Sequence, residues 1–340
     1  MVLAEPWKTG RTTIQRTDQK LSGTTRGTAK EILVQFILTQ LRSHPTRVTE
    51  AGVHKPMIIG LQGPQGIGKT WLSREVKEEL NKVHHINTIA LSLDDLYLPR
   101  RAQEKLEEED AGGRNRLLQG RGLPGTHDLD LAVRVFDSLS KINETKEIFL
   151  PVYDKSALHG LGDRIGFNTL SVPSDHVLQL VIFEGWMLGF VPLDPLQLRR
   201  TYDHLLQLNP TPSSNTFITK FSIDELLKIN LNLSAYVQLL WPRIDVLINL
   251  VPQDLNFIWR WRIQQENEMK AKNGGIGMSE EEVKNFIFRY MPCYELYGQS
   301  VDDPDGKGMI PASLKVVMDE ERKVVDVLYP KESTADTEIQ

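Results

Sequence analysis

The sequence predicts an α/β fold, a parallel sheet flanked by helices. Three observations carry this. Met57–Gln62, Thr88–Leu93, Val177–Phe183 and Ile244–Leu250 are apolar runs of strand length. Continuous runs of this kind suit strands buried on both faces. Stretches with helical spacing of apolar residues stand before and between them. Finally, the first run leads straight into a glycine-rich loop and then into a segment that can continue as a helix.

That loop is Gly63-Pro64-Gln65-Gly66-Ile67-Gly68-Lys69-Thr70. It matches the phosphate-loop pattern, in the strand–loop–helix context that gives the pattern meaning. Glycines let backbone N–H groups close around an anion, and the following helix turns its N-terminal donors toward it. Lys69 can reach β- and γ-phosphates, and the Thr70 hydroxyl can ligate Mg²⁺. The chain is therefore expected to bind a nucleoside triphosphate, in a P-loop NTPase-type sheet.

Composition narrows the class. A net charge of −5 over 340 residues gives no basic balance for nucleic acid. Cys293 is the only cysteine, so no internal disulfide can form and a cysteine metal site is not expected. No apolar run reaches membrane-spanning length, roughly 18 residues. Residues 1–26 are rich in Thr, Arg and Lys, but Glu5 and Asp18 speak against an import peptide. Residues 1–27 read as a disordered tail, 331–340 as a frayed one, and the chain as cytoplasmic.

Between the tails, 28–330 reads as one domain. Ile32, Leu33, Phe36, Ile37 and Leu41 give a helix from Thr28 to about Arg42. The phosphate-loop helix is expected to reach Lys82. Arg100–Arg116 reads as a solvated helix and loop. Residues 129–141 form a helix, 148–173 a long polar loop, and 190–235 an insertion of helices and loop. Phe257–Met269 is a helix, and Ser279-Glu280-Glu281-Glu282 is a capping box for another that runs to about Tyr290. Leu314–Met318 and Val324–Leu328 suggest a C-terminal hairpin.

Several polar residues fall where chemistry would be placed. Asp94 and Asp95 follow a strand directly, at the sheet edge where ligands sit in such folds. One can accept a hydroxyl proton and the other hold Mg²⁺, although Asp95 could instead cap the next helix. Arg121, His127 and Asp128 lie on a glycine- and proline-rich loop suited to a small anionic, hydroxylated molecule. Equally, Asp128 could simply cap helix 129–141. Lys155 and Arg164 can neutralise substrate or phosphate charge. Glu184 ends a core strand, where a carboxylate commonly supports Mg²⁺ or its waters. Arg260 and Arg262, two apart, cannot share a helix face, so at most one points at phosphates.

Leu91-Ser92-Leu93-Asp94-Asp95-Leu96-Tyr97 resembles the base-carrying segment of the uridine kinase and phosphoribulokinase superfamily. More closely, residues 57 to about 297 resemble the D-glycerate 3-kinases of plants and their fungal relatives. Beyond the phosphate loop, the matching stretches include Gly120-Arg121-Gly122, Gly125-Thr126-His127-Asp128 and Tyr153-Asp154-Lys155-Ser156. Gly162-Asp163-Arg164, Phe183-Glu184-Gly185-Trp186, Trp261-Arg262-Ile263-Gln264 and Arg289-Tyr290-Met291-Pro292 continue the match. The plant motif Gly-Asn-Ala-Gly-Ser-His-Asp is here Gly122-Leu123-Pro124-Gly125-Thr126-His127-Asp128, a departure where the substrate is expected.

The resemblance implies an ATP- and Mg²⁺-dependent kinase for a small hydroxylated, anionic acceptor, D-glycerate first. It implies a cradle from residues 65–70, charge stabilisation by Lys69, and Mg²⁺ at Thr70 supported by Glu184. Asp94 becomes the base. Asp95, Tyr97, Arg121, His127, Asp128, Tyr153 and Lys155 become substrate contacts, and Arg164 or Arg262 closes over the phosphates. The alternatives are another acceptor, a nucleoside or sugar-acid, and a nucleotide-binding regulator that transfers nothing.

Overall fold

The computed structural model describes residues 27–43, 47–109, 115–208, 216–272, 274–275, 277–302, 310 and 313–330. The two expected tails, apart from Gly27, lie outside them. In chain order the elements are α1 (Ala29–Ser43), β1 (Met57–Gln62), α2 (Lys69–Lys82), β2 (Thr88–Ser92), α3 (Arg100–Glu109) and α4 (Leu129–Thr145). Then come β3 (Glu147–Asp154), β4 (Asp163–Ser171), β5 (Leu180–Gly185), α5 (Pro195–Leu208), α6 (Ile223–Leu239) and β6 (Val246–Pro252). Last are α7 (Phe257–Lys272), α8 (Glu280–Phe288), α9 (Met291–Tyr297), β7 (Ser313–Met318) and β8 (Val324–Leu328).

The main sheet runs β2-β5-β1-β6-β7-β8. Its first five strands are parallel, and β8 returns antiparallel along β7. Because β5 and β6 flank β1, the ends of β1, β2 and β5 lie on one edge. Ser92 pairs with Glu184, and Leu61 with the same residue from the other side. The connection order reverses around β1, which opens a crevice at that edge.

Successive strand residues face opposite sides, so the sheet divides two cores. On one side Ile58, Val181, Phe183 and Leu247 pack with α4, α6 and α9. On the other Ile59, Leu61, Ile182 and Ile248 pack with α1, α2 and Trp261 of α7. Burying each such aliphatic side chain is worth about 1.5–3 kcal/mol. This explains why the apolar runs are continuous.

Residues 148–173 are not a loop. They form most of a separate antiparallel ribbon, β3 on β4. The ribbon escapes a sequence reading because it has no clean alternation. Pro151 interrupts the first strand, and Phe149, Ile165 and Phe167 are exposed. The expected strand 88–93 ends one residue early, because Ser92 caps a 3-10 turn at Leu93–Leu96. Two strand starts move inward, to Leu180 and Val246. Helix α8 stops at Phe288, and a separate α9 begins with Pro292 in its first turn. Within 190–235, residues 209–215 are outside the described set; the rest is α5, a 3-10 turn at Ile218–Lys220 and most of α6. Leu226, Ile229 and Leu233 of α6 join the same core as Phe183.

Candidate active site

The phosphate loop is shaped from two sides. Gly66 has φ +82°, and a Cβ there would lie 2.5 Å from the Cβ of Trp261, so α7 presses directly on the loop. Opposite, the Tyr294 hydroxyl contacts both the backbone N–H and the side-chain oxygen of Gln65. Helix α2 starts at Gly68 without a side-chain cap. Its first N–H groups therefore remain available for an anion. Lys69 donates to the Pro64 carbonyl at 3.1 Å. Burial lowers its pKa, opposed by the Glu184 and Asp94 carboxylates. Thr70 Oγ1 donates to Glu184 Oε1 at 3.0 Å, joining the two residues expected at Mg²⁺.

Asp94 stands beside this loop, at the end of β2. Lys155 Nζ is 2.5 Å from its Oδ2, and the Tyr97 hydroxyl also favours the charged carboxylate. Burial pushes the Asp94 pKa up, but the Lys155 ammonium and the Tyr97 hydroxyl outweigh it and hold the group below its ordinary value. Reciprocally, burial depresses Lys155 and Asp94 more than restores it. Asp95 caps no helix. Burial raises its pKa, opposed by the nearby backbone N–H groups of Tyr153 and Ser92.

The loop 120–128 closes over the turn after β2. Leu98 N–H donates to Thr126 O at 3.0 Å, and Asp128 N–H to Leu96 O at 2.8 Å. The Tyr97 ring consequently stacks on His127 at 4.5 Å, with Tyr153 edge-on at 5.3 Å. Arg121 reaches across to the β3–β4 turn, donating to Gly160 O at 2.9 Å and Lys155 O at 3.2 Å.

The chain as a whole is similar to known proteins in both sequence and shape. No family model matches the chain. An uncharacterized kinase of Schizosaccharomyces pombe, mug58, is 35% identical over 86% of this chain and 96% of its own. The chloroplastic D-glycerate 3-kinase of Arabidopsis thaliana is 34% identical over 84% of this chain and 58% of its own. The solved D-glycerate 3-kinase of Cryptococcus neoformans superposes with a TM-score of 0.80, at 36% identity, over 89% of this chain and 99% of its own. The chain belongs to the D-glycerate 3-kinase family of P-loop kinases.

As a member of this glycerate kinase family, it is an ATP-dependent phosphotransferase with a hydroxyl acceptor. The structure gathers Lys69, Thr70, Glu184, Asp94 and Lys155 around one crevice. Tyr97, His127, Arg121 and Tyr153 adjoin it. Arg164 and Asp128 meet each other instead. Arg164 donates to Asp128 Oδ2 at 3.0 Å and to Tyr97 O at 2.8 Å, while Asp128 also caps α4 through Leu131 N–H. Arg262 pairs with buried Glu266 at 2.9 Å, and Arg260 pairs at the surface with Glu320.

Other residues around the site were not singled out as functional by the sequence. Arg289, half-buried, donates to the carbonyl of Gly120 at 3.0 Å. Burial pushes the Tyr290 hydroxyl up to about 12, and that hydroxyl fills the space a Cβ on Gly122 would need. Arg322, in the β7–β8 turn, reaches the phosphate loop. The family motif Arg289-Tyr290-Met291-Pro292 pointed at the first two; nothing local marks Arg322.

Proposed function

We propose that this kinase transfers the γ-phosphoryl group of Mg·ATP to a hydroxyl of D-glycerate. One observation carries the reading: Asp94, the candidate base, is ion-paired to Lys155 at 2.5 Å beside the phosphate loop. A carboxylate able to take a hydroxyl proton and an ammonium able to take an anionic group are thus adjacent, as a hydroxy acid requires. The family relationship to D-glycerate 3-kinases of a plant and a fungus supports the same acceptor.

In this reading, backbone N–H groups of residues 65–70 cradle the phosphates and Lys69 stabilises the charge on the transferring group. Asp94 accepts the proton of the attacking hydroxyl. Lys155 and Arg121 attract the acceptor carboxylate, and Tyr97, Tyr153 and His127 line its place. Asp95, Asp128 and Arg164 hold these elements in register, and Arg262 stays with Glu266 beside the phosphate loop. Little covalent chemistry falls to the protein in such a transfer, so positioning and charge dominate. The hydroxyl of Thr70 and the carboxylate of Glu184, hard oxygen donors 3.0 Å apart, fit Mg²⁺. When bound, Mg²⁺ neutralises charge on the phosphate oxygens. The departure at Leu123 from the plant motif falls in the core cluster, while His127 is retained. A cytoplasmic setting suits the buried, unpaired Cys293.

The test is ADP release from Mg·ATP with and without D-glycerate, repeated on Asp94→Asn. Strong stimulation by glycerate, lost in the variant while ATP affinity stays, is expected. Stimulation only by a nucleoside or another sugar-acid would move the acceptor. Slow hydrolysis indifferent to every acceptor would favour a regulator.

A further inference from the structure

His127 carries an unusual hydrogen-bond pattern. Its ring is buried, and Nδ1 lies 2.8 Å from the Tyr236 hydroxyl of α6. Nε2 is buried and has no hydrogen-bond partner among the described residues. The Tyr236 hydroxyl already accepts the N–H of Gly125 at 2.9 Å. Its own proton therefore needs an acceptor, and among the described residues Nδ1 is the one within reach. A neutral imidazole that accepts at Nδ1 carries its proton on Nε2.

We infer that Tyr236 is a positioning residue that holds His127 as the neutral Nε2–H tautomer, so that the ring offers a fixed N–H donor to an oxygen of the phosphoryl acceptor. This rests on the proposed kinase function of the same site. The groups that face the ring are Tyr97, stacked on it, Tyr236, edge-on at 5.6 Å, and Asp94, whose charge acts on it. Burial lowers the His127 pKa to about 3, against the pull of Asp94, so the imidazole stays neutral throughout the working range. A buried N–H without a partner is costly, by about 1–3 kcal/mol. Such a donor in a folded core calls for an oxygen partner, from a ligand or a bound water.

Nitrogen-15 NMR of the histidine-labelled full chain tests the tautomer without any acceptor present, with His127→Gln to assign the signal. The expected result is a protonated Nε2 and an unprotonated Nδ1 from about pH 5.5 to about pH 8.5. A proton on Nδ1, or titration within that window, overturns the inference. Kinetics supply the second arm. Tyr236→Phe keeps the packing volume and should raise the KM for D-glycerate about tenfold with the KM for ATP unchanged. His127→Gln, which keeps a donor, should lose less than His127→Ala. Equal loss in both His127 variants, or an unchanged glycerate KM in Tyr236→Phe, also overturns it. If the native chain ignores D-glycerate yet shows the Nε2–H tautomer, the acceptor assignment fails and the tautomer stands. If glycerate stimulates but the proton sits on Nδ1, this inference alone fails.

Discussion

Arg322 donates through Nε to the carbonyl of Gly66 at 2.8 Å, joining the C-terminal hairpin to the middle of the phosphate loop. Its guanidinium lies 5.2 Å over the Trp261 ring, and Nη1 donates to Gln264 at 3.1 Å. Hairpin, α7 and loop are thus held by one side chain. A hydrogen bond from a charged group is worth about 1.5–3 kcal/mol. Arg322→Ala is accordingly expected to raise the KM for ATP by about tenfold or more, with the acceptor KM little changed. Steady-state kinetics with each substrate varied in turn would show it; a rise in the acceptor KM alone would refute the linkage.

Lys69→Ala removes an ammonium that donates to a carbonyl of the loop itself, that of Pro64. Turnover should fall to background while the thermal midpoint stays within a few degrees, because a partly buried cation adds little net stability. Activity assays and melting curves on the same preparation decide this.

Lys155→Met probes the ionisation of Asp94. In the native chain burial raises that carboxyl, but Lys155 and Tyr97 hold it low. A depressed carboxyl contributes stability above its unfolded pKa and loses it as pH falls through the folded value. Without the ammonium, burial prevails and the pKa rises. The acid limb of the kcat/KM profile should move to higher pH. An unmoved limb would mean that Asp94 is not the titrating base.

Gly122→Ala tests the fit between the 120–128 loop and the α8–α9 junction. Gly122 has φ +135°, and a Cβ would sit 1.9 Å from the Tyr290 hydroxyl. Strain and overpacking together should cost about 2–4 kcal/mol. A lowered denaturation midpoint is the expected result, together with impaired acceptor binding.

The local features were legible because local physics decides them. The strand–loop–helix from Met57 to Lys82, the acids after β2 and at the end of β5, and the Ser279–Glu282 capping box depend on neighbours in sequence. The β3–β4 ribbon was not legible, since it is half exposed and irregular in pattern. Asp128 could be read as a cap, and it is one, but nothing nearby announces that Arg164 binds it.

By itself, the sequence determined the parallel sheet, the nucleotide loop and the residue types that line its crevice. These follow from burial periodicity and from the backbone freedom of glycine. The tertiary structure alone decided the pairings: Asp94 with Lys155, His127 with Tyr236, Gly66 with Arg322. Those partners lie 61, 109 and 256 residues apart. Protonation states and tautomers at the site depend on burial and on charges brought together by folding, which no local pattern encodes.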